Sequence, residues 1–518
     1  MTLDTPRVAW QPGDDITSMI ARYASERPGH VALIEGERSV TWADLERRVE
    51  RVALALHASG TRRGDRVAVL ASSSIEYIEV FFGVLYAGAC AVPLPTLAAE
   101  DSLRLMLADS GATALFAGEV YAPTAEKIAG AAVTLRVGLG FDGHGFESLD
   151  GFIDGASGTS PAVRVGPDDP FDIIYSSGTT GVPKGIVHSH GARRASYAGE
   201  RSRYFTKDTV NVLATPLYSN TTSVTWLLTT AQGGASVILR KFSPDAFFDA
   251  VERNRATHAM LVPVQYDRIL ASERFAGADL SSLRYLFSTS APLRPETKAR
   301  VVRETRAELV EIYGLTEGGP VTVLEVRRHP DKLASVGQPA PGCDVRIVDD
   351  AGRQLPAGQV GEVVGRSANM MSGYLNRQED TDLMLLRDDH GTLYFRTGDL
   401  GRFDEDGFLY LLDRKKDVII SGGFNVYAAD IEAVLAGHPD VVEAAVIAVP
   451  SERWGETPLA LVVPRPENRT GADELREYCN ARLGKAQRVS AVEFRTELPK
   501  SPIGKVLKRE LRAPYWRK

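Results

Sequence analysis

The sequence predicts an α/β fold in which a large N-terminal domain with several subdomains and parallel sheets is followed by a small C-terminal α+β domain. Short β-rich runs such as Arg66–Ala71 and Ala112–Ala117 alternate with helical segments, a pattern typical of parallel strands covered by helices. After Asp417 the pattern changes to about 100 residues of mixed helices and strands, enough for an independent domain. A chain of 518 residues is also too long for one ordinary domain.

A helix is predicted from Thr41 to Ser59. Thr41 and Asp44 have the spacing of a capping box, and Gly60 follows the last apolar residue of the helical pattern, where a glycine commonly ends a helix. The apolar run from Val80 to Leu94 is interrupted by two glycines and a proline and is too short to span a bilayer. It predicts a buried helix followed by a strand, and no membrane insertion is expected.

A domain boundary is predicted near a charged segment, Arg414–Asp417. The segment Asp142–Asp169 is rich in Gly, Ser, Asp and Pro and predicts a loop before a strand at Phe171–Tyr175. The C-terminal elements are predicted as strands at Val418–Ile420, Val441–Val449, Pro458–Pro464 and Ala491–Phe494, and as helices at Ala428–Ala436 and Ala472–Leu483. We therefore expect domains at 1–413 and 417–518, joined by a hinge at 414–416.

Composition limits the classes of function. The formal net charge is −7, with 60 Lys and Arg against 67 Asp and Glu and no long runs of like charge, so nucleic-acid binding is not expected. Cys90, Cys343 and Cys479 lie far apart without the spacing of a disulfide framework or metal site, which favours a reducing cytoplasm. The first residues lack the apolar stretch of a secretory signal. The oligomeric state is open, with a homodimer as one candidate.

The most informative segment is Tyr175–Gly185, YSSGTTGVPKG. Its glycines allow backbone N–H groups to converge on an oxyanion, its hydroxyl groups add donors, and Lys184 adds charge. It does not have Walker A spacing, because Pro183 occupies the place of the second glycine and Gly185 follows the lysine. The alternative is a flexible surface loop. The preceding strand and the Pro-Lys-Gly end favour phosphate binding.

With four later motifs, this loop resembles the signature of the adenylate-forming superfamily, which includes acyl-CoA synthetases, luciferase-type enzymes and the adenylation domains of peptide synthetases. The later motifs, in the expected order, are Tyr313–Glu317, Tyr394–Asp399, Asp413–Val426 and Leu498–Lys505. The resemblance covers nearly the whole chain. It implies an acyl- or aryl-CoA ligase, in which a carboxylate attacks the α-phosphate of ATP, pyrophosphate leaves, and a thiol then displaces AMP from the acyl-AMP.

The resemblance also implies roles for individual residues. Thr316 is expected to donate to a phosphate, Glu317 to hold Mg²⁺, and Lys505 to bridge the acid and the α-phosphate as a flexible point charge. The residues expected to bind ATP or AMP are Ser176, Ser177, Gly178, Thr179, Thr180, Gly181, Lys184, Ser290, Ala291, Pro292, Tyr313, Gly314, Asp399 and Arg414. Among these, Tyr313 would stack on adenine, while Asp399 and Arg414 would contact the ribose.

Each assignment has a structural alternative. Lys505 would otherwise be a solvated lysine of a basic tail, Thr316 and Glu317 would open a helix as a cap, and Asp399 would be an ordinary turn residue. His188 and His190 have the spacing of a metal pair, but no Cys or acidic cluster accompanies them in the sequence, so we interpret both as ordinary residues.

The thiol half-reaction is assigned to the C-terminal part. Lys416 aligns with the hinge position about which the superfamily rotates its small domain between the half-reactions, and a linker lysine is the alternative. The resemblance places Gly422 and Gly423 along the thiol tunnel. Trp454 is a candidate for stacking on the adenine of CoA, although a tryptophan that only packs is equally compatible with the sequence.

The acid pocket is expected around Tyr218, Ser219, Asn220, Val264 and Phe287. Related ligases often carry an aromatic residue or a histidine where Ser219 and Asn220 stand, so the usual gating of acid and ATP is in doubt. No aspartate lies between Leu213 and Val224 to pair with a substrate ammonium, which disfavours an amino acid because a buried unpaired ammonium is costly. The segment Glu452–Pro458 resembles aryl-CoA ligases, and this resemblance implies a hydroxycinnamate- or benzoate-like acid as the favoured substrate.

Three functional classes remain open. The first is a CoA ligase whose partners are a small carboxylic acid, ATP with Mg²⁺, and CoA. The second is a stand-alone adenylating enzyme that passes its product to a carrier protein or a non-thiol nucleophile, which the Ser219-Asn220 departure favours. The third is a catalytically silent nucleotide-binding protein, which the presence of Lys184, Glu317, Asp399 and Lys505 disfavours.

Overall fold

The computed structural model describes residues 10–11, 13–158, 163–176, 183–422, 424–467, 469–484, 487–500 and 506–516. The chain divides into two compact units. The large unit contains Met1–Leu333, Pro339–Asp344 and Gly365–Phe395, and the small unit contains Ala334–Gln338, Val345–Val364 and Arg396–Lys518. Within the described residues, no helix has both the length and the apolar character needed to cross a membrane.

The helices, in chain order, are α1 (Ile16–Glu26), α2 (Trp42–Ala58), α3 (Ile75–Tyr86), α4 (Glu100–Ser110), α5 (Ala122–Ile128), α6 (Leu149–Asp154), α7 (His190–Tyr197), α8 (Asn220–Ala231), α9 (Pro244–Asn254), α10 (Pro263–Leu270), α11 (Pro295–Glu304), α12 (Gln378–Leu383), α13 (Ala428–Ala436), α14 (Ala472–Asn480) and α15 (Lys508–Trp516). Helices α1 to α12 belong to the large unit, and α13 to α15 belong to the small unit.

The strands are β1 (Val31–Glu35), β2 (Arg38–Thr41), β3 (Arg66–Leu70), β4 (Cys90–Pro93), β5 (Ala114–Gly118), β6 (Leu135–Leu139), β7 (Glu147–Ser148), β8 (Pro170–Ser176), β9 (Lys184–Ser189), β10 (Val210–Leu213), β11 (Ala235–Ile238), β12 (His258–Leu261), β13 (Tyr285–Ser288), β14 (Glu308–Gly314), β15 (Val321–Glu325), β16 (Gln338–Pro339), β17 (Asp344–Val348), β18 (Gly361–Arg366), β19 (Gly373–Tyr374), β20 (Leu385–Arg387), β21 (Leu393–Phe403), β22 (Leu409–Arg414), β23 (Ile419–Ser421), β24 (Phe424–Val426), β25 (Val441–Ser451), β26 (Gly455–Pro464) and β27 (Ala491–Phe494). Strands β1 to β15, β19 and β20 lie in the large unit and β22 to β27 in the small unit, while β16, β17, β18 and β21 contain residues of both.

Parallel strands form the centre of the large unit. One sheet contains the order β15-β14-β13-β12-β10-β11-β1-β2, and a second has the order β19-β9-β8-β4-β3-β5-β6-β7. Neighbours such as β3 and β5 or β12 and β13 are parallel, whereas β8 and β9 form an antiparallel pair in which Asp172 lies opposite His188 and Ser176 opposite Lys184. This arrangement confirms the predicted α/β class.

Helices bury apolar faces against these sheets where the pattern predicts. The Thr41 side chain accepts from the Asp44 N–H at the start of α2, which confirms the predicted cap. The run Val80–Leu94 is the buried part of α3 followed by β4. Phe81 and Phe82 of α3 pack against Trp226 of α8 with ring centroids 5.0 and 5.1 Å apart, so aromatic rings fill the space between the two helices.

The prediction of a continuous loop at Asp142–Asp169 is wrong in its first part. This segment contains β7 and α6, and Ser148 caps α6 by accepting from the Gly151 N–H at 3.1 Å. The local composition favours turns, but burial of Leu149, Phe152 and Ile153 in the core stabilises a short helix.

The small unit contains an antiparallel sheet of order β24-β23-β26-β25, to which β27 adds parallel to β26. Its predicted elements are present, and the bounds of α13 and β27 agree with the prediction. Strand β24 and helix α15 were not predicted. The unit division lies earlier in the chain than residues 414–416, and the hinge at 414–416 stays a prediction because compactness does not test where the chain bends.

Candidate functional site

Lys184 begins β9, opposite the last residue of β8, Ser176. Its Nζ lies 3.2 Å from Asp380 Oδ2 and 5.0 Å from the ring centroid of Tyr374. The phosphate-loop residues Ser177, Gly178, Thr179, Thr180 and Gly181 lie outside the described residues. Lys184 therefore has a carboxylate and an aromatic face as neighbours.

Thr316 and Glu317 follow β14, and Glu317 accepts one hydrogen bond at its side chain and one at its main-chain carbonyl. The Tyr374 hydroxyl donates to Glu317 Oε1 at 2.8 Å, and the Met371 N–H donates to the Glu317 carbonyl at 2.9 Å. Burial, with Glu317 nearby, raises the pKa of the Tyr374 phenol, which keeps it a donor. Gly318 has φ +77°, and a Cβ there would meet the Asn369 backbone, so only glycine allows this close approach.

This geometry fits a single-carboxylate Mg²⁺ site. Tyr374 orients one oxygen of Glu317, and Mg²⁺ is commonly held by one or two carboxylates together with phosphates and water. Among the described residues, no cluster of three or more His, Cys, Asp or Glu forms an all-protein metal cage, and a metal delivered with nucleotide phosphates does not require one.

The segment predicted to bind ATP contacts the segment predicted to bind the acid. Ser290 has φ +80°, and its hydroxyl lies 2.5 Å from the Thr221 hydroxyl, next to Asn220. A buried ion pair supports the same loop, because Glu311 pairs with Lys298 and accepts from the Leu293 N–H at 3.1 Å. The sequence analysis missed this pair.

Two segments around the expected acid pocket, residues 214–222 and 262–265, are joined by a side-chain hydrogen bond of Gln265. Gln265 donates to the Ala214 carbonyl at 2.8 Å and accepts from the Val262 N–H at 2.9 Å. Ser219 is the N-cap of α8. The ring of Phe287 is buried and stacks on Phe205 with centroids 5.4 Å apart, which makes it a core packing residue.

The remaining residues predicted to bind the acid differ in burial. Tyr218 is buried, while Val264 on α10 and Asn220 at the start of α8 are half-buried. The acid-binding roles of these residues and of Phe287 stay predictions.

A buried charged cluster was missed by the sequence analysis, which treated His188 as an ordinary residue. His188 Nδ1 lies 2.7 Å from Asp172 Oδ1, and its Nε2 lies 2.7 Å from the Thr316 carbonyl oxygen. Arg193 donates to both Asp172 oxygens, at 2.6 and 2.9 Å, and to Asn220 Oδ1 at 2.7 Å. A carboxylate within an apolar strand was the available signal, because a buried charge requires a partner.

The charges of this cluster are mutually stabilising. Burial alone would raise the pKa of Asp172, but Arg193 and His188 outweigh burial and hold that pKa below its usual value.

His190 has an aromatic neighbour in place of a carboxylate, because it lies against Phe171 with ring centroids 5.0 Å apart. Burial lowers the pKa of His190 to about 4, so its ring is neutral near pH 7.

In the small unit, the two predicted ribose contacts are paired with each other. Asp399 on β21 lies opposite Arg414 on β22, and Arg414 Nε lies 3.0 Å from Asp399 Oδ1. Gly398 has φ +69°, and the Asp399 N–H donates to the Thr397 hydroxyl at 2.9 Å. The strand register thus presents a carboxylate and a guanidinium side by side.

Lys416 lies in a 3-10 turn, Lys415–Asp417, directly after β22. The predicted thiol-side residues Gly422 and Trp454 are in contact, since the Gly422 N–H donates to the Trp454 carbonyl at 2.9 Å and a Cβ at Gly422 would meet the indole ring. Trp454 is 47% exposed, with the Arg453 guanidinium 4.6 Å from its ring centroid. Lys505 and Gly423 lie outside the described residues.

Family profiles match both parts of the chain. Residues 20–375 match the family described as AMP-binding enzyme, and residues 430–505 match the AMP-binding enzyme C-terminal domain. These ranges contain the phosphate loop, the Thr316–Glu317 segment and the C-terminal Lys505.

Similar proteins share this organisation over nearly their full length. A feruloyl-CoA synthase from Amycolatopsis sp is 37% identical over 95% of this chain and 98% of its own. An indoleacetate–CoA ligase from Aromatoleum aromaticum is 34% identical over 97% and 99% of the two chains. The crystal structure of ATP-bound MatB from Rhodopseudomonas palustris superposes with a TM-score of 0.87 at 31% identity, covering 97% of this chain and 99% of that one. The large N-terminal and small C-terminal domains are therefore a shared architecture.

Proposed function

The chain belongs to the AMP-binding enzymes and is an adenylate-forming acid–thiol ligase, and we propose that it joins an aromatic carboxylic acid to CoA through an acyl-adenylate. The observation that carries this proposal is the contact of the Thr221 hydroxyl with the Ser290 hydroxyl. This contact joins the segment expected to hold the acid to a segment expected to hold ATP, and it supports the proposal.

In the first half-reaction, an oxygen of the acid attacks the α-phosphate, and the bond from that phosphorus to the pyrophosphate oxygen breaks. Two anions must approach, so cations and oriented donors are needed where charge develops. Lys184 and the hydroxyl of Thr316 would hold phosphate oxygens, and Lys505 would lie between the acid carboxylate and the α-phosphate. These are the roles that the family resemblance implies for the three motif positions, and the charge or donor type of each residue is compatible with them.

The carboxylate of Glu317, oriented by Tyr374, would hold Mg²⁺. When bound, the metal ion would offset phosphate charge and stabilise the leaving pyrophosphate. Asp399 and Arg414 would fix the ribose, since a carboxylate accepts from hydroxyl groups and a guanidinium donates to oxygen.

In the second half-reaction, the CoA thiolate sulfur attacks the acyl carbon, and AMP leaves with the electron pair of the broken anhydride bond. We assign Gly422, Gly423 and Trp454 to the thiol side and Lys416 to the hinge. The close packing of Gly422 against the indole ring supports a narrow passage bounded by an aromatic face.

An aromatic acid is the class that the names of two relatives support best. The relatives named for feruloyl-CoA and indoleacetate act on aromatic acids according to their names. Asn220 is engaged by the Arg193 guanidinium, and residues 214–223 contain no carboxylate to receive a substrate ammonium. Hydroxycinnamates such as ferulate, followed by benzoates, are therefore the favoured substrates.

The test is acid-dependent exchange of labelled pyrophosphate into ATP, with ferulate, 4-coumarate, benzoate, indoleacetate, octanoate, malonate and phenylalanine as the panel. We expect the fastest exchange with an aromatic acid and a Lys505→Ala loss of at least about 100-fold. Lys500→Ala is the matched control, because the Lys500 Nζ pairs with Glu443 at 2.8 Å. Fastest exchange with octanoate or malonate would refute the aromatic assignment.

The acceptor is identified by measuring AMP and acyl-CoA formation with the best acid. AMP release that requires free CoA supports the ligase. Adenylation without any response to CoA, but with transfer to a carrier protein or an amine, would contradict CoA as the acceptor while leaving the first half-reaction intact.

A further inference from the structure

Five residues of the large unit form a continuous chain of polar contacts whose three middle members are buried. We call it the Asp172 network: the Asn220 side chain, Arg193, Asp172, His188 and the Thr316 carbonyl. Each successive pair is joined by a contact of 2.6 to 2.9 Å. Its ends lie in two different functional segments, since Asn220 belongs to the expected acid pocket and Thr316 to the expected phosphate site.

The middle of the network is held by secondary structure. Asp172 and His188 are cross-strand partners on β8 and β9, and Arg193 lies on α7, one turn after β9 ends. Asp172 and His188 have side chains that are each 2% exposed, and that of Arg193 is 7% exposed. Because water is excluded, displacement of one member leaves a buried polar group without its partner, which is costly.

The two ends are therefore not independent. Arg193 uses one Nη atom for Asp172 and the other for Asn220, so the orientation of Asn220 depends on the same carboxylate that orients His188. His188 in turn contacts the Thr316 carbonyl, and the Thr316–Glu317 peptide directly precedes the carboxylate held by Tyr374.

Resting on the proposed function, we propose that the Asp172 network couples acid binding to ATP binding, with His188 and Arg193 as positioning residues. Adenylation requires the acid carboxylate and the α-phosphate to be aligned together. The network fixes the position of Asn220 relative to Thr316. A bound acid therefore favours the arrangement of the phosphate site that binds ATP, and bound ATP favours the arrangement of the acid pocket that binds the acid. By linkage, each ligand raises the affinity for the other by the same factor.

The experiment measures the dissociation constant of α,β-methylene-ATP by calorimetry, with and without the acid that gives the fastest exchange in the panel above. In the wild-type protein we expect the acid to strengthen binding at least about fivefold. Arg193→Lys keeps a cation beside Asp172, but a single ammonium does not reproduce the fork that also reaches Asn220. We expect the factor to fall below about twofold in this variant and in His188→Leu.

The control is Asn211→Ala, which removes a buried asparagine whose Nδ2 donates to Thr229 of α8 at 3.0 Å. This substitution perturbs α8, the helix that begins at Asn220. It should leave the factor by which the acid strengthens nucleotide binding at its wild-type value, even if the melting temperature falls. A purely structural role for the network would lower the melting temperature of Arg193→Lys without changing that factor. Full coupling in Arg193→Lys, or no coupling in the wild-type protein, overturns the proposal.

Failure of the proposed function is recognised separately. If the wild-type protein shows no acid-dependent exchange with any member of the panel, the function itself is wrong. If exchange is present and the coupling factor is one, only the coupling inference is wrong. Should His188→Leu not fold, the charge-conserving Arg193→Lys variant decides the outcome.

Discussion

Asp399 and Arg414 face each other across paired antiparallel strands, with Arg414 Nε 3.0 Å from Asp399 Oδ1. The residues are 15 positions apart in sequence, yet the strand register makes them neighbours. A ribose placed here would meet an acceptor and a donor already oriented toward one another. The proposed ribose site therefore consists of a carboxylate and a guanidinium that are already paired with each other.

Asp399→Ala should raise KM for ATP about tenfold, because hydrogen bonds to a charged group contribute roughly 1.5–3 kcal/mol. The control compares ATP with 2′,3′-dideoxy-ATP, which lacks both ribose hydroxyl groups. The wild-type enzyme should discriminate against 2′,3′-dideoxy-ATP, whereas the variant should use both nucleotides with similar kcat/KM. Undiminished discrimination in the variant would rule out the ribose contact.

Asp380→Asn should lower KM for ATP by up to about fivefold, since a partly exposed ion pair is worth about 1 kcal/mol or less. The substitution removes the carboxylate that pairs with Lys184 at 3.2 Å, so the phosphate no longer competes with it. Asp382→Asn is the control, because Asp382 is exposed and accepts from Gln378. An unchanged KM in Asp380→Asn would show that Lys184 does not exchange partners.

Tyr374→Phe should raise the Mg²⁺ concentration required for half-maximal exchange about tenfold or more, as expected when a metal-binding carboxylate loses its orienting partner. The hydroxyl donates to Glu317 at 2.8 Å. Tyr394→Phe serves for comparison, since that buried hydroxyl donates to Asp344 at 2.6 Å. Equal Mg²⁺ requirements in the two variants would remove the support for Glu317 as the metal-binding residue.

Trp454→Ala should slow acyl-CoA formation about tenfold through loss of aromatic stacking, while exchange of pyrophosphate into ATP is unchanged. Trp516→Ala provides a matched comparison in the same unit, because the two tryptophans are 47% and 46% exposed and the Trp516 indole N–H donates to the Ala448 carbonyl. Loss of CoA-dependent turnover in Trp516→Ala but not in Trp454→Ala would contradict the assignment.

His190 should make the large unit less stable in acid. Burial lowers its pKa to about 4 from 6.5, so the unfolded chain gains a proton first as pH falls. The stability associated with the neutral ring is complete above pH 6.5 and is lost as pH falls toward 4, by about 3 kcal/mol in all.

His190→Phe should therefore show a smaller fall in melting temperature between pH 7 and pH 5 than the wild-type protein. His30→Phe, at an exposed histidine, should keep the wild-type dependence. If His190→Phe lost as much melting temperature between pH 7 and pH 5 as the wild-type protein, His190 would not be the source of the acid sensitivity.

Local features of the fold followed from local sequence. The Thr41 cap and the apolar periodicity of α2 depend on residues within one helix and its cap, and the bounds of α13 and β27 agree with those predicted from short contiguous segments. The loop prediction at Asp142–Asp169 was wrong because tertiary burial, rather than composition, stabilises α6.

The sequence by itself determined the family, the order of its motifs and the chemical types of the residues expected at the site, because those properties are carried by short contiguous segments. Only the tertiary structure decided which side chains are hydrogen-bond partners. His188 looked ordinary because its partners Asp172 and Thr316 are 16 and 128 positions away, and Glu317 meets Tyr374 across 57 positions. Such contacts depend on strand register and helix packing, which bring distant residues within hydrogen-bond distance and leave no periodic trace in the chain.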